Sequence, residues 1–289
     1  MKKNRSGKII YPVIASAAIL AAVICLICFH PRTTSRNADR IIITNLDVGK
    51  ADAAVITLGA STGIIDTGTD EAYETIDAFL KKNNISSIDF LLITHYDKDH
   101  IGSATELIEN YPVDKIYLPD YVSEKKLYSP LMDCVADMDG VLFVDKKLSF
   151  DFRGAGITVY PADDPEPLLE NEKNRDNDMS LVSMITYGNC RMLFTGDIEN
   201  DRISQMLDAD YDLSCDWIKI PHHGNYDKKD KGLIKACSPV YAVVSTSSDV
   251  LDDKLTELLE DKELEAYYTI YGNVTTVCDG SEIKVSQGY

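Results

Sequence analysis

The sequence feature that most constrains the fold is an apolar run that ends in a cluster of imidazoles and carboxylates. Residues 91–94 are Leu-Leu-Ile-Thr, and the next six residues include His95, Asp97, Asp99 and His100. At the end of a strand, this spacing places His95 and Asp97 on one side. Asp99 and His100 follow as the chain turns into a predicted helix. Such a group of side chains suits a divalent metal such as zinc or manganese, whereas a simple helix cap needs only one polar residue.

The distribution of histidine supports a single site. The chain has five histidines, of which His30 borders an apolar segment. The other four are His95, His100, His222 and His223. The histidines of the predicted soluble part therefore lie in two short motifs, and we expect these motifs to meet in space.

Two further polar loops follow apolar strands. Residues 193–196 lead to Asp197, and residues 217–221 lead to His222 and His223. Taken alone, Thr-Gly-Asp is often only a turn, and a His-His dipeptide is often only a surface feature. Taken with the first motif, Asp197 is a candidate bridge between two metal ions. The histidine pair is then a candidate ligand with a neighbour that supports it or handles protons.

Strand and helix patterns predict two similar halves. In the first half, strands are predicted at 41–46, 53–58, 63–65 and 87–94, with helices at 71–82 and 100–110. A polar, proline-containing segment at 161–177 is predicted to be a surface loop between the halves. In the second half, strands are predicted at 180–187, 191–194, 217–220, 240–246, 267–271 and 282–285, with helices at 199–207 and 251–260. Because the halves repeat the same order of elements, we expect an α/β fold with two sheets sandwiched between helices.

The first forty residues predict a membrane anchor. Residues 1–8 are basic and predict a cytoplasmic tail, and residues 9–29 are uncharged, mostly apolar and long enough to span a bilayer. Residues 30–40 then form a linker, and residues 41–289 form one folded domain outside the cytoplasm. The alternative is a secreted protein whose signal is cleaved, but the apolar segment ends without the small residues that a signal peptidase prefers.

Net charge limits the nucleic-acid binding that can be expected. The chain has 29 Lys and Arg against 47 Asp and Glu, a formal net charge of −18. This excess disfavours broad nonspecific binding to nucleic acid, although a local basic groove remains compatible with it. Lys219, Lys228, Lys229 and Lys231 lie near the histidine pair and are candidates for contacting a phosphodiester. Because two aspartates alternate with them, an ordinary solvated face is an equal alternative.

Six motifs occur in a fixed order from residue 47 onward. They are Asp47-Val48-Gly49, Ile65-Asp66-Thr67-Gly68, the run from His95 to His100, residues 177–182, residues 193–197, and Pro221-His222-His223-Gly224. In this order they resemble the metallo-β-lactamase superfamily, and more narrowly the hydrolase domain of ComEC-type DNA-internalisation competence proteins. The resemblance implies a four-layer αββα sandwich with its metals at one edge between the sheets. One N-terminal transmembrane helix would precede it.

The chain departs from the family pattern at several positions. Lys50 and Ala51 replace two residues of the competence motif Asp-Val-Gly-Gln-Gly-Asp, and Asp97 stands where most of the superfamily has histidine. The histidine that many members place before the bridging aspartate is absent, and Asn177 or Ser180 stands in that region. The first metal site is therefore short of a strong ligand.

The resemblance implies two divalent ions, zinc or manganese, which together activate water for attack on a phosphoryl or acyl centre. The implied ligands are His95 and Asp97 for one ion, Asp99 and His100 for the other, Asp197 as the bridge, and either His222 or His223. Asp99 and Asp197 are the carboxylates predicted to be essential for catalysis. Asp66 and Asn177 are predicted to orient the ligands.

Three functions compete on these features. The first is a membrane-anchored phosphodiesterase or nuclease that acts on DNA outside the cytoplasm, as the competence resemblance implies. Its partners would be a nucleic acid or another phosphodiester and the membrane, and no protein partner is indicated. The second is a hydrolase of small esters, lactones or β-lactams, against which Asp97 and the absent histidine argue. The third is a non-catalytic binding or assembly protein, against which the intact motif from His95 to His100 argues.

We predict that protease added to intact cells digests the domain from residue 41 onward and leaves a small anchored fragment. The reason is that Lys2, Lys3, Arg5 and Lys8 precede the uncharged segment and hold the N-terminus inside. Immunoblots against tags at the two ends report the result, with permeabilised cells as the control. A domain that stays fully protected in intact cells contradicts the prediction. A product without any membrane-bound fragment would favour signal cleavage.

Overall fold

The computed structural model describes residues 40–209, 211–247 and 252–288. The predicted tail (1–8), the predicted membrane-spanning segment (9–29) and all but the last residue of the predicted linker (30–40) lie outside the described residues. Within these ranges, none of the helices has both the length and the apolar character needed to cross a membrane.

Within the described ranges, fifteen strands form two mixed sheets. The strands are β1 (Ile41–Asn45), β2 (Ala54–Leu58), β3 (Ser61–Ile65), β4 (Ile88–Leu92), β5 (Val113–Pro119), β6 (Val141–Val144), β7 (Leu148–Phe152), β8 (Ala155–Tyr160), β9 (Val182–Tyr187), β10 (Cys190–Phe194), β11 (Trp217–Lys219), β12 (Tyr241–Val244), β13 (Glu265–Tyr268), β14 (Val274–Cys278) and β15 (Ile283–Gln287). The first sheet has the order β15-β14-β1-β2-β3-β4-β5-β6, and the second has the order β13-β12-β11-β10-β9-β8-β7.

Helices connect the strands and cover the outer faces of the sheets. In the described part of the chain they are α1 (Tyr73–Lys82), α2 (Lys98–Ile101), α3 (Ala104–Asn110), α4 (Tyr128–Val135), α5 (Pro165–Glu170), α6 (Arg175–Asp178), α7 (Asn200–Asp208), α8 (Asp230–Cys237) and α9 (Asp253–Asp261). Short 3₁₀ segments lie at Asp70–Ala72, Pro221–Gly224 and Thr269–Tyr271.

The apolar side chains form three layers of core, which explains the sandwich. Because successive residues of a strand face opposite sides, Ile64 of β3 packs with the helical residues Ile76 and Leu107, while Ile65 packs between the two sheets with Met192. A third layer lies between the second sheet and helices α7, α8 and α9. The order of layers is helix, sheet, sheet, helix, so the predicted αββα sandwich is confirmed.

Two segments differ from their sequence-based prediction. The single helix predicted at 100–110 is two helices, α2 and α3, because the Gly102 backbone nitrogen donates to the Gly68 carbonyl oxygen at 2.8 Å instead of to a carbonyl of the helix. This contact brings Gly102 so close to Asp70 that a Cβ would collide with its backbone nitrogen. The loop predicted at 161–177 contains α5 and most of α6. It is held to the second half by Arg202, which is fully buried, donates to the Pro161 carbonyl and pairs with Asp163 at 3.3 Å.

Candidate metal centre

The polar loops of the two halves meet because of the parallel strands in each sheet. In the first sheet β3 and β4 are parallel, with Ile65 opposite Leu92. In the second sheet β10 and β11 are parallel, with Phe194 opposite Lys219. Parallel strands end at the same edge of a sheet, so the loop after β3, the motif after β4, the turn after β10 and the turn after β11 are brought together.

Three histidines converge, and each is held through its Nδ1 atom. The Nδ1 of His95 lies 3.2 Å from Ser180 Oγ, the Nδ1 of His100 lies 2.8 Å from Asp66 Oδ2, and the Nδ1 of His223 lies 3.2 Å from the Ser245 carbonyl oxygen. All three rings are buried. Their Nε2 atoms are also buried and have no hydrogen-bond partner in the protein. This arrangement fixes each ring from behind and leaves Nε2 available to a ligand.

Two carboxylates complete the cluster. The Oδ2 atom of Asp197 lies 3.2 Å from the Nε2 atoms of both His100 and His223. The Oδ2 atom of Asp99 lies 3.3 Å from Nε2 of His223. Two overlapping groups of candidate ligand atoms lie within this cluster: His95, His100 and Asp197 form one, and Asp99, His100 and His223 form the other. Two further groups add Asp52, one with Asp197 and His223 and one with Asp66 and His100.

Asp66 organises the cluster from the first sheet. It has a left-handed backbone (φ 56°), and its carboxylate accepts hydrogen bonds from the Thr94 backbone nitrogen at 2.8 Å and the Thr94 hydroxyl at 2.8 Å, besides its contact with His100. One buried side chain therefore sets both the start of the motif after β4 and the orientation of its last histidine.

The electrostatics of the cluster favour cation binding. Burial alone would raise the pKa of Asp197, but His223 and His100 hold it well below its usual range. Burial alone would lower the pKa of those histidines, but Asp197 raises the pKa of His100 well above its ordinary value and that of His223 to about 9. Burial and the neighbouring His100 lower the pKa of His95, so this ring is neutral. The carboxylates thus attract positive charge, which a divalent ion can supply instead of protons.

The turn after β11 gives the two adjacent histidines different surroundings. His222 and His223 have left-handed backbones (φ 49° and 54°), which are uncommon for non-glycine residues and store about 1–3 kcal/mol each at functional sites. His223 joins the cluster. His222 lies apart from it, with Nδ1 3.4 Å from Glu199 Oε1, in a separate group of candidate ligands with Glu199 and Asp227.

Other predicted site residues are placed elsewhere. Asp97 pairs with Lys125 at 2.6 Å and does not belong to either of the overlapping ligand groups of the described residues. Asn177 donates to Glu199 at 2.7 Å. Lys228, Lys229 and Lys231 are exposed around the start of α8.

Lys219 is not part of that exposed lysine group. It is buried in β11, and its ammonium contacts Asp52, the Gly196 carbonyl oxygen at 3.3 Å and Asp197 Oδ1 at 3.5 Å. Burial alone would lower its pKa, but Asp52 and Asp197 raise it, so the side chain is a cation.

Asp52 and Ser180 contact the cluster, although the sequence interpretation assigned neither of them a role in the site. Asp52 is buried at the end of the loop between β1 and β2 and lies near Lys219, His100 and His223. The sequence feature that could have identified Asp52 is its position as the last residue of the run from Asp47 to Asp52. Ser180 accepts from the backbone nitrogen of Asp197 at 3.2 Å besides contacting His95, and its signal was its place in the motif at 177–182.

The donor set of the cluster fits a divalent metal ion. The Nε2 atom of His95 is buried without a hydrogen-bond partner, and leaving such an atom unsatisfied typically costs on the order of 1–3 kcal/mol. The Nε2 atoms of His100 and His223 face carboxylate oxygens of Asp197 and Asp99 at 3.2–3.3 Å. Coordination by a metal would satisfy them. Neutral imidazole nitrogens combined with carboxylate oxygens suit zinc or manganese.

Comparison with known proteins gives a family match across the cluster. The profile of the metallo-β-lactamase superfamily matches residues 46–247, which include every residue of the cluster. ComE operon protein 3 of Bacillus subtilis (strain 168) is 24% identical over 255 residues, which cover 81% of this chain and 31% of that protein. Recombination protein 2 of Haemophilus influenzae is 23% identical over 211 residues, which cover 71% of this chain and 24% of that protein. The chain therefore spans less than a third of the length of either relative.

Solved structures share the fold. The metallo-β-lactamase fold protein YhfI from Bacillus subtilis superposes with a TM-score of 0.57 at 12% identity, covering 86% of this chain and 100% of that chain. CmlA, a diiron β-hydroxylase from Streptomyces venezuelae, superposes with a TM-score of 0.53 at 14% identity, covering 82% of this chain and 54% of that chain. At these identities the similarity establishes the fold alone.

We predict that Asp99→Asn and Asp197→Asn each lower the metal content of the purified chain and abolish hydrolysis while the chain stays folded. Both changes nearly preserve volume but remove a negative charge that faces the histidine Nε2 atoms. Elemental analysis after desalting and circular dichroism report the two properties. Asp114→Asn, at an exposed position of β5, is the matched control. Normal turnover in either variant excludes that residue from the centre.

We predict that Asp66→Asn weakens metal binding by about 10–100-fold, the usual effect of losing a carboxylate that orients a ligand histidine. Asn can still accept from Thr94 but supplies no negative charge behind His100. A competition titration with a chelating dye measures the affinity. An affinity equal to that of the unmodified chain means that Asp66 has only a structural role.

Proposed function

The chain belongs to the metallo-β-lactamase superfamily, and from this premise we propose that it is a metal-dependent phosphodiesterase whose substrate is DNA. The general part of this assignment is the reaction type, metal-dependent hydrolysis. The specific part is the substrate, a phosphodiester. The specific part is supported by the two relatives named above, which are of the competence type that the six motifs resemble. As proposed from the sequence, the domain acts outside the cytoplasm and is anchored by residues 9–29.

The observation that carries the hydrolytic function is the convergence of ligand atoms from both sheets. The motif after β4 supplies three of the five side chains, and the second sheet supplies Asp197 and His223. A bound divalent ion would supply Lewis-acid activation of water and of the scissile centre. The protein holds the ligands in place through Asp66, Ser180 and the Ser245 carbonyl.

Differences in exposure indicate the side from which a substrate approaches. The side chain of Asp99 is 25% exposed, whereas those of Asp197 and His223 are 4% and 1% exposed. The substrate therefore reaches the cluster past Asp99. On the same loop, Asp97 is paired with Lys125, whose side chain is 43% exposed. Its ammonium is a cation positioned at this entrance, where a phosphate would pass.

The exposed lysines after the histidine pair add support for a phosphodiester. Lys228 and Lys229 are exposed, whereas the two neighbouring aspartates are less exposed than these lysines. Asp230 is buried and accepts from the Asp227 backbone nitrogen at 2.8 Å, and burial raises its pKa to about 7. Asp227 accepts from Asn200 at 2.5 Å. The surface potential of this turn is therefore more positive than its composition indicates.

We predict that replacing Lys228, Lys229 and Lys231 together by Gln weakens DNA binding and reduces its salt dependence. Each lysine that contacts a phosphate contributes about 0.7–0.9 to the log–log salt slope through counterion release. Metal content should not change. The discriminating quantity is the ratio of kcat/KM for a DNA oligomer to that for a neutral ester, measured at two salt concentrations.

The matched control replaces three exposed lysines at the opposite ends of strands, away from the cluster. One precedes β4, one lies near the start of β5, and one precedes β13. These are Lys82, Lys115 and Lys262. This control should leave the ratio unchanged. If the first triple variant also leaves the ratio unchanged, the lysines do not bind DNA. The hydrolysis of small esters, lactones or β-lactams then becomes the better assignment.

A further inference from the structure

The first observation concerns how many metal ions the ligands can serve. His100 belongs to both overlapping ligand groups, the one with His95 and the one with Asp99. A neutral imidazole has one free lone pair, and the Nδ1 atom of His100 is already committed to Asp66 at 2.8 Å. His100 can therefore bind only one ion. If that ion lies with Asp99 and His223, His95 is the one imidazole of this cluster, within the described residues, that is left for another ion.

The second observation is that the other side chains near a further metal position already have partners. Asp52, which forms a candidate ligand group with Asp197 and His223, pairs with the Lys219 ammonium. Asp97 pairs with Lys125 at 2.6 Å. Ser180 is in the region where many family members have a histidine, and its hydroxyl contacts Nδ1 of His95, so it supports that ring from behind.

The third observation concerns Asp197, the carboxylate expected to bridge two ions. Its Oδ2 atom faces Nε2 of His100 and His223, while its Oδ1 atom faces the Lys219 ammonium at 3.5 Å. A carboxylate that bridges two ions through its two oxygens needs both of them free for metals. Here one oxygen is occupied by a fixed organic cation.

The Lys219 ammonium is held firmly in this position. The residue is 2% exposed and lies in the central strand β11, between β10 and β12. Its Nζ atom also contacts Asp52 and the Gly196 carbonyl oxygen. A second divalent ion beside Asp197 Oδ1 would face the positive charge of this ammonium in a buried environment, where repulsion between like charges is strong.

We propose that this centre binds one divalent metal ion rather than two, and that the Lys219 ammonium takes the place of the second cation beside Asp197. The single ion would be held by Asp99, His100 and His223, with Asp197 Oδ2 beside the Nε2 atoms of both histidines. Lys219 neutralises the outer oxygen of Asp197 and excludes a further ion. This inference rests on the proposed function only in requiring that the chain binds metal at all.

The test is metal stoichiometry of the purified full-length chain. The chain is stripped with a chelator, loaded with excess Mn²⁺, desalted and analysed for manganese per chain. We expect one equivalent, with the electron paramagnetic resonance spectrum of an isolated ion. Two equivalents with a spectrum of coupled ions overturn the inference but leave the proposed hydrolase intact. No bound metal, with either manganese or zinc, overturns the proposed function itself.

Three variants separate the effect of the Lys219 charge from the effect of replacing any lysine of the chain. Lys219→Met should admit a second equivalent, because it removes the cation and frees Asp197 and Asp52. Lys219→Arg keeps the charge and should bind one equivalent, as should Lys115→Met at an exposed position. One equivalent in a folded Lys219→Met chain overturns the role assigned to Lys219. If that variant does not fold, two equivalents in Lys219→Arg or in the unmodified chain still overturn the proposal.

Discussion

The buried carboxylate of Asp66 is the interaction on which the rest of the centre depends. It joins the end of β3 to the motif after β4 through Thr94 and sets the ring of His100. Its left-handed backbone turns the side chain toward the neighbouring parallel strand. A carboxylate in this position is costly unless it is hydrogen-bonded, and burial does raise its pKa, with the facing His100 opposing the rise. The histidine cluster therefore compensates for a charge that the fold has placed in its interior.

The sequence predicted the layers of the fold, and most of the residues that it offered as ligands are brought together in the structure. Strand periodicity and the polar residues at strand ends were sufficient, because parallel strands deliver their carboxyl ends to one edge. The motif from His95 to His100 and the residues Asp197 and His223 were therefore found by position along the chain. The break at Gly102 was missed because its cause is a hydrogen bond to Gly68, which is distant in sequence.

The partners of charged residues were the part that sequence could not supply. Lys219 was grouped with Lys228 and its neighbours by proximity along the chain, yet β11 carries it into the interior beside Asp52. Asp97 fits a ligand pattern, but Lys125 is close enough to pair with it. In each case the outcome depends on a residue brought near by tertiary packing, and a local motif holds no information about that residue.

The candidate ligands of the centre come from both halves of the chain, with Asp99 and His100 from the first sheet and Asp197 and His223 from the second. A bound ion would thus add a cross-link between two sheets that already meet at this edge through polar contacts such as Lys219 with Asp52 and Ser180 with His95. Ligand binding to the folded state stabilises it in proportion to the logarithm of ligand concentration. The supply of metal in the surroundings would then set how long the folded chain survives attack by proteases, independently of any turnover.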